Sequence, residues 1–440
     1  MKKTIISLFF VLIAGVVAMG QQGNIKFTEF DLSNGLHVIM HPDHATPNVI
    51  VSLMYHVGSK NEDPERTGFA HLFEHLMFEG SKYIDRGEYM KIVQSNGGAL
   101  NANTSWDRTY YYEMMPANQL ELALWLESER MLHGKVDTTG VNTQKGVVIE
   151  ERKQTMDNNP YGTWIEELGK RLITVHPYRW HVVGSPEHIR NSSFDDVYNF
   201  YKTYYVPNNC VLVIAGDFEE VQAKEWVQKY FGDIPKGTNP IVHPTIVEPP
   251  LQGEVRDIIY DKIQLPAVFM AYRGPAMGTK DAYAMDLLCS VLSNGKSARL
   301  KTNITDKGIA VETGAFNAGF EHPGPVFVIA IANMGKTTED IENAINLEME
   351  KLCNELVSED EFQMIKAAKE YEVASGMTSL FDIAEQFASY YTYAKDAGRI
   401  NRQLENYSNI TREDLKDTAN KYFGRNNRVV LHYLPESQNN

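Results

Sequence analysis

Residues 68–80 read Gly68-Phe69-Ala70-His71-Leu72-Phe73-Glu74-His75-Leu76-Met77-Phe78-Glu79-Gly80. At about 100° per residue, His75 falls roughly 40° around a helix from His71, while Glu74 falls about 60° to the other side. Two imidazoles can then converge on one ion. Glu74 is offset from them, better placed to hold a water beside the metal as a general base than to compete as a ligand. Phe69, Leu72, Phe73, Leu76 and Met77 supply an apolar stripe on the same helix, and Thr67 offers an N-cap. The competing explanation is two histidines and an acid that fell together on a core helix, so the surroundings have to decide.

Upstream, Lys2 and Lys3 precede an apolar run from Ile5 to Val17 and small residues at Ala18 and Gly20. This pattern predicts a Sec-type signal peptide over residues 1–20 and an exported protein, periplasmic or otherwise. The run is short for a membrane span and no second stretch approaches the required length. Removing the two lysines takes the formal charge from −15 to −17, and no basic cluster interrupts the acidic balance. Nucleic acid and anionic membrane surfaces are therefore poor partners. Three cysteines, Cys210, Cys289 and Cys353, form no Cys-x-x-Cys pair, so neither a disulfide framework nor a thiolate metal site is indicated.

Downstream, prolines 235, 240, 244, 249 and 250 mark residues 234–254 as a linker that nearly bisects the mature chain. The expected division is residues 25–233 as an N-terminal metal-bearing domain and 255–436 as a C-terminal homologous domain. Two internal matches support that homology. Tyr204-Tyr205-Val206-Pro207-Asn208-Asn209-Cys210 parallels Tyr422-Phe423-Gly424-Arg425-Asn426-Asn427-Arg428, and Ala70 to Gly80 overlies Met285 to Gly295. In the second match Asp286, Cys289 and Ser290 stand where His71, Glu74 and His75 stood, so the second half keeps the fold and loses the metal site.

In the first half, alternation around Asn34-Gly35 predicts a hairpin over 30–41, and 49–57 reads as a further strand. Helices are expected over 67–79, 86–96 and 117–132, with 100–115 extended. The class is α+β, a sheet covered by helices on one face. A third ligand is offered by residues 145–152, Lys-Gly-Val-Val-Ile-Glu-Glu-Arg, in which Glu150 and Glu151 point about 100° apart on a helix, so one of the two can reach the ion. His37, His41, His44, His56 and His181 lack ligand spacing and read as structural or surface residues.

With these segments together, the chain closely resembles the inverted-zincin peptidases of the pitrilysin and mitochondrial processing peptidase type, in a short bacterial two-domain form. The resemblance covers nearly all of residues 25–435. It rests on residues 68–80, on Asn101-Ala102-Asn103-Thr104 with Asp107 and Thr109, on Val147 to Glu151, and on Tyr205-Val206-Pro207-Asn208-Asn209. It implies two homologous domains, each a mainly antiparallel sheet covered by helices, with one Zn2+ per chain. Its spacing of about 76 residues from the second histidine selects Glu151 as third ligand beside His71 and His75, leaving Glu74 as catalytic base. It also implies that Asn101 and Ala102 lie on a sheet edge near the metal, where an extended peptide or unfolded polypeptide adds as a strand.

Two departures from the family pattern bear on activity. The position seven residues before the ligand glutamate, usually acidic and supporting the ligands from behind, is Gln144. The Arg and Tyr that the partner half usually supplies correspond to Ile304 and Val311, which cannot donate a hydrogen bond. Losing such donors costs on the order of 100-fold in rate. The expectation is therefore a heterodimer with a homologous subunit carrying the Arg/Tyr pair, or a homodimer if Arg299 compensates. The rival reading is a catalytically weak or inactive peptide-binding or assembly subunit of the same fold.

Overall fold

The Asn34-Gly35 turn, with Gly35 at φ +87°, reverses the chain between its first two strands, where a residue with a side chain would be strained. The structure, a computed structural model, describes residues 24–436. The signal peptide expected over residues 1–20 lies outside the described residues.

The first half contains β1 (Thr28–Asp31), β2 (His37–Pro42), β3 (Asn48–Tyr55), α1 (Phe69–Leu76), α2 (Tyr89–Ser95), β4 (Ala99–Thr104) and β5 (Thr109–Pro116). It continues through α3 (Leu120–His133), α4 (Thr138–Arg152), α5 (Trp164–Leu172), α6 (Pro186–Asn191), α7 (Phe194–Tyr204), β6 (Cys210–Gly216) and α8 (Glu220–Phe231). The second half contains β7 (Val255–Asp261), β8 (Ala267–Arg273), α9 (Lys280–Ser293), β9 (Ala310–Asn317) and β10 (Pro325–Ala332). It ends with α10 (Thr338–Asn354), α11 (Glu359–Gly376), α12 (Leu380–Ala394), α13 (Gln403–Ser408), α14 (Arg412–Tyr422) and β11 (Arg428–Pro435).

The sheet orders are β1-β2-β6-β3-β5-β4 and β7-β11-β8-β10-β9. Each sheet is antiparallel except for one parallel pair, β2 with β6 and β11 with β7. The internal match reaches down to single bonds. Asn209 Nδ2 donates to the carbonyls of His56 and Tyr204, and Asn427 Nδ2 does the same to Arg273 and Tyr422.

The predicted elements are present with shifted ends. The helix expected over 67–79 is shorter, that over 86–96 starts at Tyr89, and residues 100–115 divide into the β4–β5 hairpin. Covering of the first sheet on one face alone is corrected by the structure. The strands β3 and β6 are buried almost throughout, as strands covered on both faces must be. On one face Val38, Val51, Leu53 and Leu212 pack under α1, α3 and α8. On the other, Ile39, Ile50, Met54 and Val213 pack against Ile383, Ala384 and Phe387 of α12, a helix of the second half. The exchange is mutual, because Leu168 and Leu172 of α5 pack on Phe269, Ala271 and Leu431 of the second sheet.

No helix or strand lies between Phe231 and Val255. Glu248 holds this segment in place, accepting from the backbone N–H groups of Thr174, Val175 and His176 at 2.6–3.0 Å and pairing with Arg273 at 3.0 Å.

Candidate metal centre

The helix α1 begins at Gly68, whose φ of +95° and tight packing admit no side chain: a Cβ there would lie 2.6 Å from the carbonyl of Val183. Thr67 is not the cap. Its hydroxyl bonds His188 Nδ1 and accepts from the N–H of Ser185, while the carboxylate of Glu62 accepts from the N–H groups of Gly68 and Ala70, both at 2.9 Å. An acid at the positive end of the helix thus satisfies two otherwise unpaired donors.

Three side chains hold the carbonyls of α1 and its C-terminal end. Tyr205 donates to Ala70 O, Tyr111 to Phe73 O and Arg130 to Met77 O, at 3.3, 2.9 and 3.1 Å. Arg130 is itself fixed by Glu127 and lies over the rings of Phe78, Tyr89 and Tyr111 at 4.4–4.7 Å. A helix of only eight residues is held by tertiary bonds rather than by its own propensity.

On this helix His71 is buried and His75 half-buried. Their rings stand 4.9 Å apart, nearly perpendicular. Glu151, in the last turn of α4, closes the triangle, with His71 Nε2 3.6 Å from Oε1 and His75 Nε2 3.1 Å from Oε2. One potential ligand atom from each of the three lies within 4.8 Å of the others, the one such His/Cys/Asp/Glu group among the described residues. The imidazoles of His71 and then His75 hold the Glu151 carboxyl well below the usual carboxylate range. Glu150 points outward, paired with Lys153 at 3.0 Å.

Glu74 Oε2 accepts from Thr104 Oγ1 at 2.7 Å. The strand β4, which carries Thr104, is the outer strand of its sheet and presents Asn101 exposed and Ala102 buried. The N–H of Ala102 donates to Asn101 Oδ1 at 2.9 Å. Gln144 lies two turns before Glu151 on α4 and donates to Glu79 Oε1 at 2.5 Å.

In the second half the corresponding residues do not gather. Asp286 accepts from Asn317 Nδ2 and Tyr407 OH at 3.0 and 2.9 Å, and burial pushes its carboxyl up. Cys289 is a buried thiol. Ile304 is buried in the second core, and Val311 is exposed on the outer strand β9. Arg299 is engaged by Glu361 through two bonds of 2.9 and 3.0 Å.

Glu62, Thr104, Glu79 and Arg130 escaped sequence reasoning as contributors to the site. Only Arg130 had a signal, since Glu127 and Arg130 stand three residues apart on one helix, a spacing that suits an ion pair.

Comparison with known proteins places these residues in context. The profile for insulinase, peptidase family M16, matches residues 37–178, and that for the peptidase M16 inactive domain matches 191–369. The zinc protease PqqE of Helicobacter pylori is 30% identical over 402 residues, covering 90% of each chain. A crystal structure of a protease from Helicobacter pylori superposes with a TM-score of 0.89 at 29% identity, covering 93% of this chain and 100% of that one. The periplasmic protease PqqL of Escherichia coli superposes with a TM-score of 0.75 at 18% identity, covering 93% of this chain and 47% of that one.

Proposed function

The chain belongs to peptidase family M16, and from that premise we propose that it is the metal-bearing subunit of an exported zinc metalloendopeptidase acting on peptides or unfolded polypeptides. The observation that carries this reading is the convergence of His71, His75 and Glu151 within 4.8 Å, one wall from each of two packed helices. Two imidazole nitrogens and one carboxylate oxygen are a donor set suited to zinc with a position left open, and one such set gives one ion per chain. Zinc bound there would supply Lewis acidity, polarising a carbonyl and making a water easier to deprotonate.

The protein's own part is to place groups around that reaction. Glu74 takes the proton of the attacking water and returns it to the departing amine. Thr104 fixes which of its oxygens is free, since Oε2 is already engaged. The free edge of β4 at Asn101 and Ala102 suits an extended substrate that pairs through its backbone, which demands an unfolded segment and little side-chain specificity.

With Ile304 buried and Val311 lacking a donor, this chain has no Arg/Tyr pair of its own at those positions, and Arg299 is held by Glu361. A homologous partner subunit is the source we assign, in a heterodimer. That this chain matches only 47% of PqqL, a longer protein, agrees with a working unit of two such chain lengths. Export rests on the leader and on the likeness to a protein described as periplasmic. No helix among the described residues is long and apolar enough to cross a membrane.

The test is zinc stoichiometry combined with cleavage of a quenched peptide, with and without a candidate partner. Glu74→Gln should keep one zinc per chain and lose turnover by about 100-fold or more. Full activity in that variant would overturn the assignment of Glu74. Zinc retention with no cleavage under any pairing would favour the rival scaffold reading, for which Gln144, Ile304 and Val311 speak.

A further inference from the structure

We propose that the Glu79–Gln144 bond, with its negative charge on Glu79, sets the spacing of the two segments holding the metal ligands. The proposal rests on the metal-centre reading above. It makes Glu79 a positioning residue.

The geometry is that of a ladder. Glu151 meets His71 and His75, whereas Gln144, two turns earlier on α4, meets Glu79, one turn beyond His75. The helix α1 with the turn that follows it, where Glu79 lies, and α4 therefore run in opposite directions, with two rungs between them. Positions 144 and 151 are seven apart and lie within about 20° of each other on α4, so both rungs cross the same face. A displacement at one rung is felt at the other.

The second rung is built with the charge on the α1 side. Glu79 is 6% exposed and its Oε1 accepts from Gln144 Nε2 at 2.5 Å. Its Oε2 is ion-paired with Arg86. Arg86 also donates to Asp137 Oδ1 at 2.9 Å, and Asp137 caps α4 by accepting from the N–H of Gly140 at 2.7 Å. One carboxylate thus reaches α4 twice, directly through Gln144 and indirectly at its N-cap. Gln144 Oε1 is buried without a partner, so the bond to Glu79 alone orients the amide. The opposite orientation would face two acceptors toward each other.

A glutamate at 144 would damage this site. Two carboxylates at hydrogen-bond distance, with Glu79 buried and Arg86 already engaged by Glu79 and Asp137, would repel, so the two segments would be pushed apart. Moving the charge across the rung, by exchanging both residues, avoids the conflict.

The experiment compares wild type, Gln144→Glu, Glu79→Gln, the double variant E79Q/Q144E and a His71→Ala control. Zinc affinity is measured by chelator competition, and melting temperature is measured on the zinc-free proteins. Each single variant should bind zinc about 10- to 100-fold more weakly, the usual effect of disturbing the groups behind a metal's ligands. The double variant should recover most of that loss and most of the melting temperature. Zinc binding by Gln144→Glu as tight as wild type, or a double variant as impaired as both singles combined, overturns the proposal. Wild type without zinc, or unaffected by His71→Ala, refutes the metal-centre reading instead. The zinc-free melting temperatures then decide the rung alone, and failure of the double variant to regain stability overturns it.

Discussion

Thr104, the last residue of β4, donates its hydroxyl to Glu74 Oε2 at 2.7 Å. The residue proposed to move the proton is thereby bonded to the strand proposed to receive the substrate. A hydrogen bond to a charged group contributes about 1.5–3 kcal/mol. Thr104→Val should lower kcat by about 10- to 100-fold while leaving zinc stoichiometry at one per chain. Unchanged kcat in a peptide cleavage assay would show that Thr104 has no part in orienting Glu74.

Arg130 and Glu113 offer opposite outcomes within one buried cluster. Arg130 is 2% exposed and neutralises Glu127, so Arg130→Met leaves a buried acid uncompensated and frees the Met77 carbonyl. The expected loss is about 3–5 kcal/mol in denaturant unfolding. Glu113 is also buried, both its oxygens lack partners, and burial with the nearby Glu127 pushes its carboxyl up. Glu113→Gln should therefore change stability by less than about 1 kcal/mol. A large loss in Glu113→Gln would mean that the ionised acid is needed.

His176 and His243, near the contact of the two halves, predict an acid limit to stability. Burial, reinforced by His322 and His56 respectively, lowers both imidazoles from 6.5 to about 4. Between those values the unfolded chain binds protons that the folded chain refuses, so this contribution is complete above pH 6.5 and is lost as pH falls toward 4. Melting temperature should drop from pH 7 to pH 5, and the drop should shrink when both residues are changed to Gln. An equally steep profile in that variant would move the effect to other groups.

Phe387, buried in α12 beneath the first sheet, tests whether the halves fold together. Phe387→Ala should cost about 3–5 kcal/mol. Calorimetry should show one transition shifted as a whole, since the lost contact joins the second half to the sheet of the first. Two separated transitions would contradict the coupling.

Much of this was legible in the chain because its signals are local. The spacing of His71, Glu74 and His75, the Asn34-Gly35 turn and the repeated Tyr-x-x-x-Asn-Asn motif each act within a few residues, and each has its counterpart in the structure. What escaped is made by contacts between distant segments. Thr67 has the chemistry of a cap, yet Glu62 occupies that role because the loop folds back across the helix end. The Glu79–Gln144 bond joins residues 65 apart, and nothing in either neighbourhood announces the other. The strands β3 and β6 already had the nearly continuous apolar character of a sheet covered twice, but the covering helix comes from beyond residue 254, where periodicity assigns it to its own half.

The mutual loan of α5 and α12 has a mechanical consequence. Each sheet is plastered on its back by a helix that belongs to the opposite lobe, so neither lobe can swing away without stripping its neighbour's apolar lining into water. The chain is built as a single stiff jaw. In the proposed heterodimer, any opening that admits the substrate therefore falls to the seam between the two subunits rather than to a hinge inside this chain.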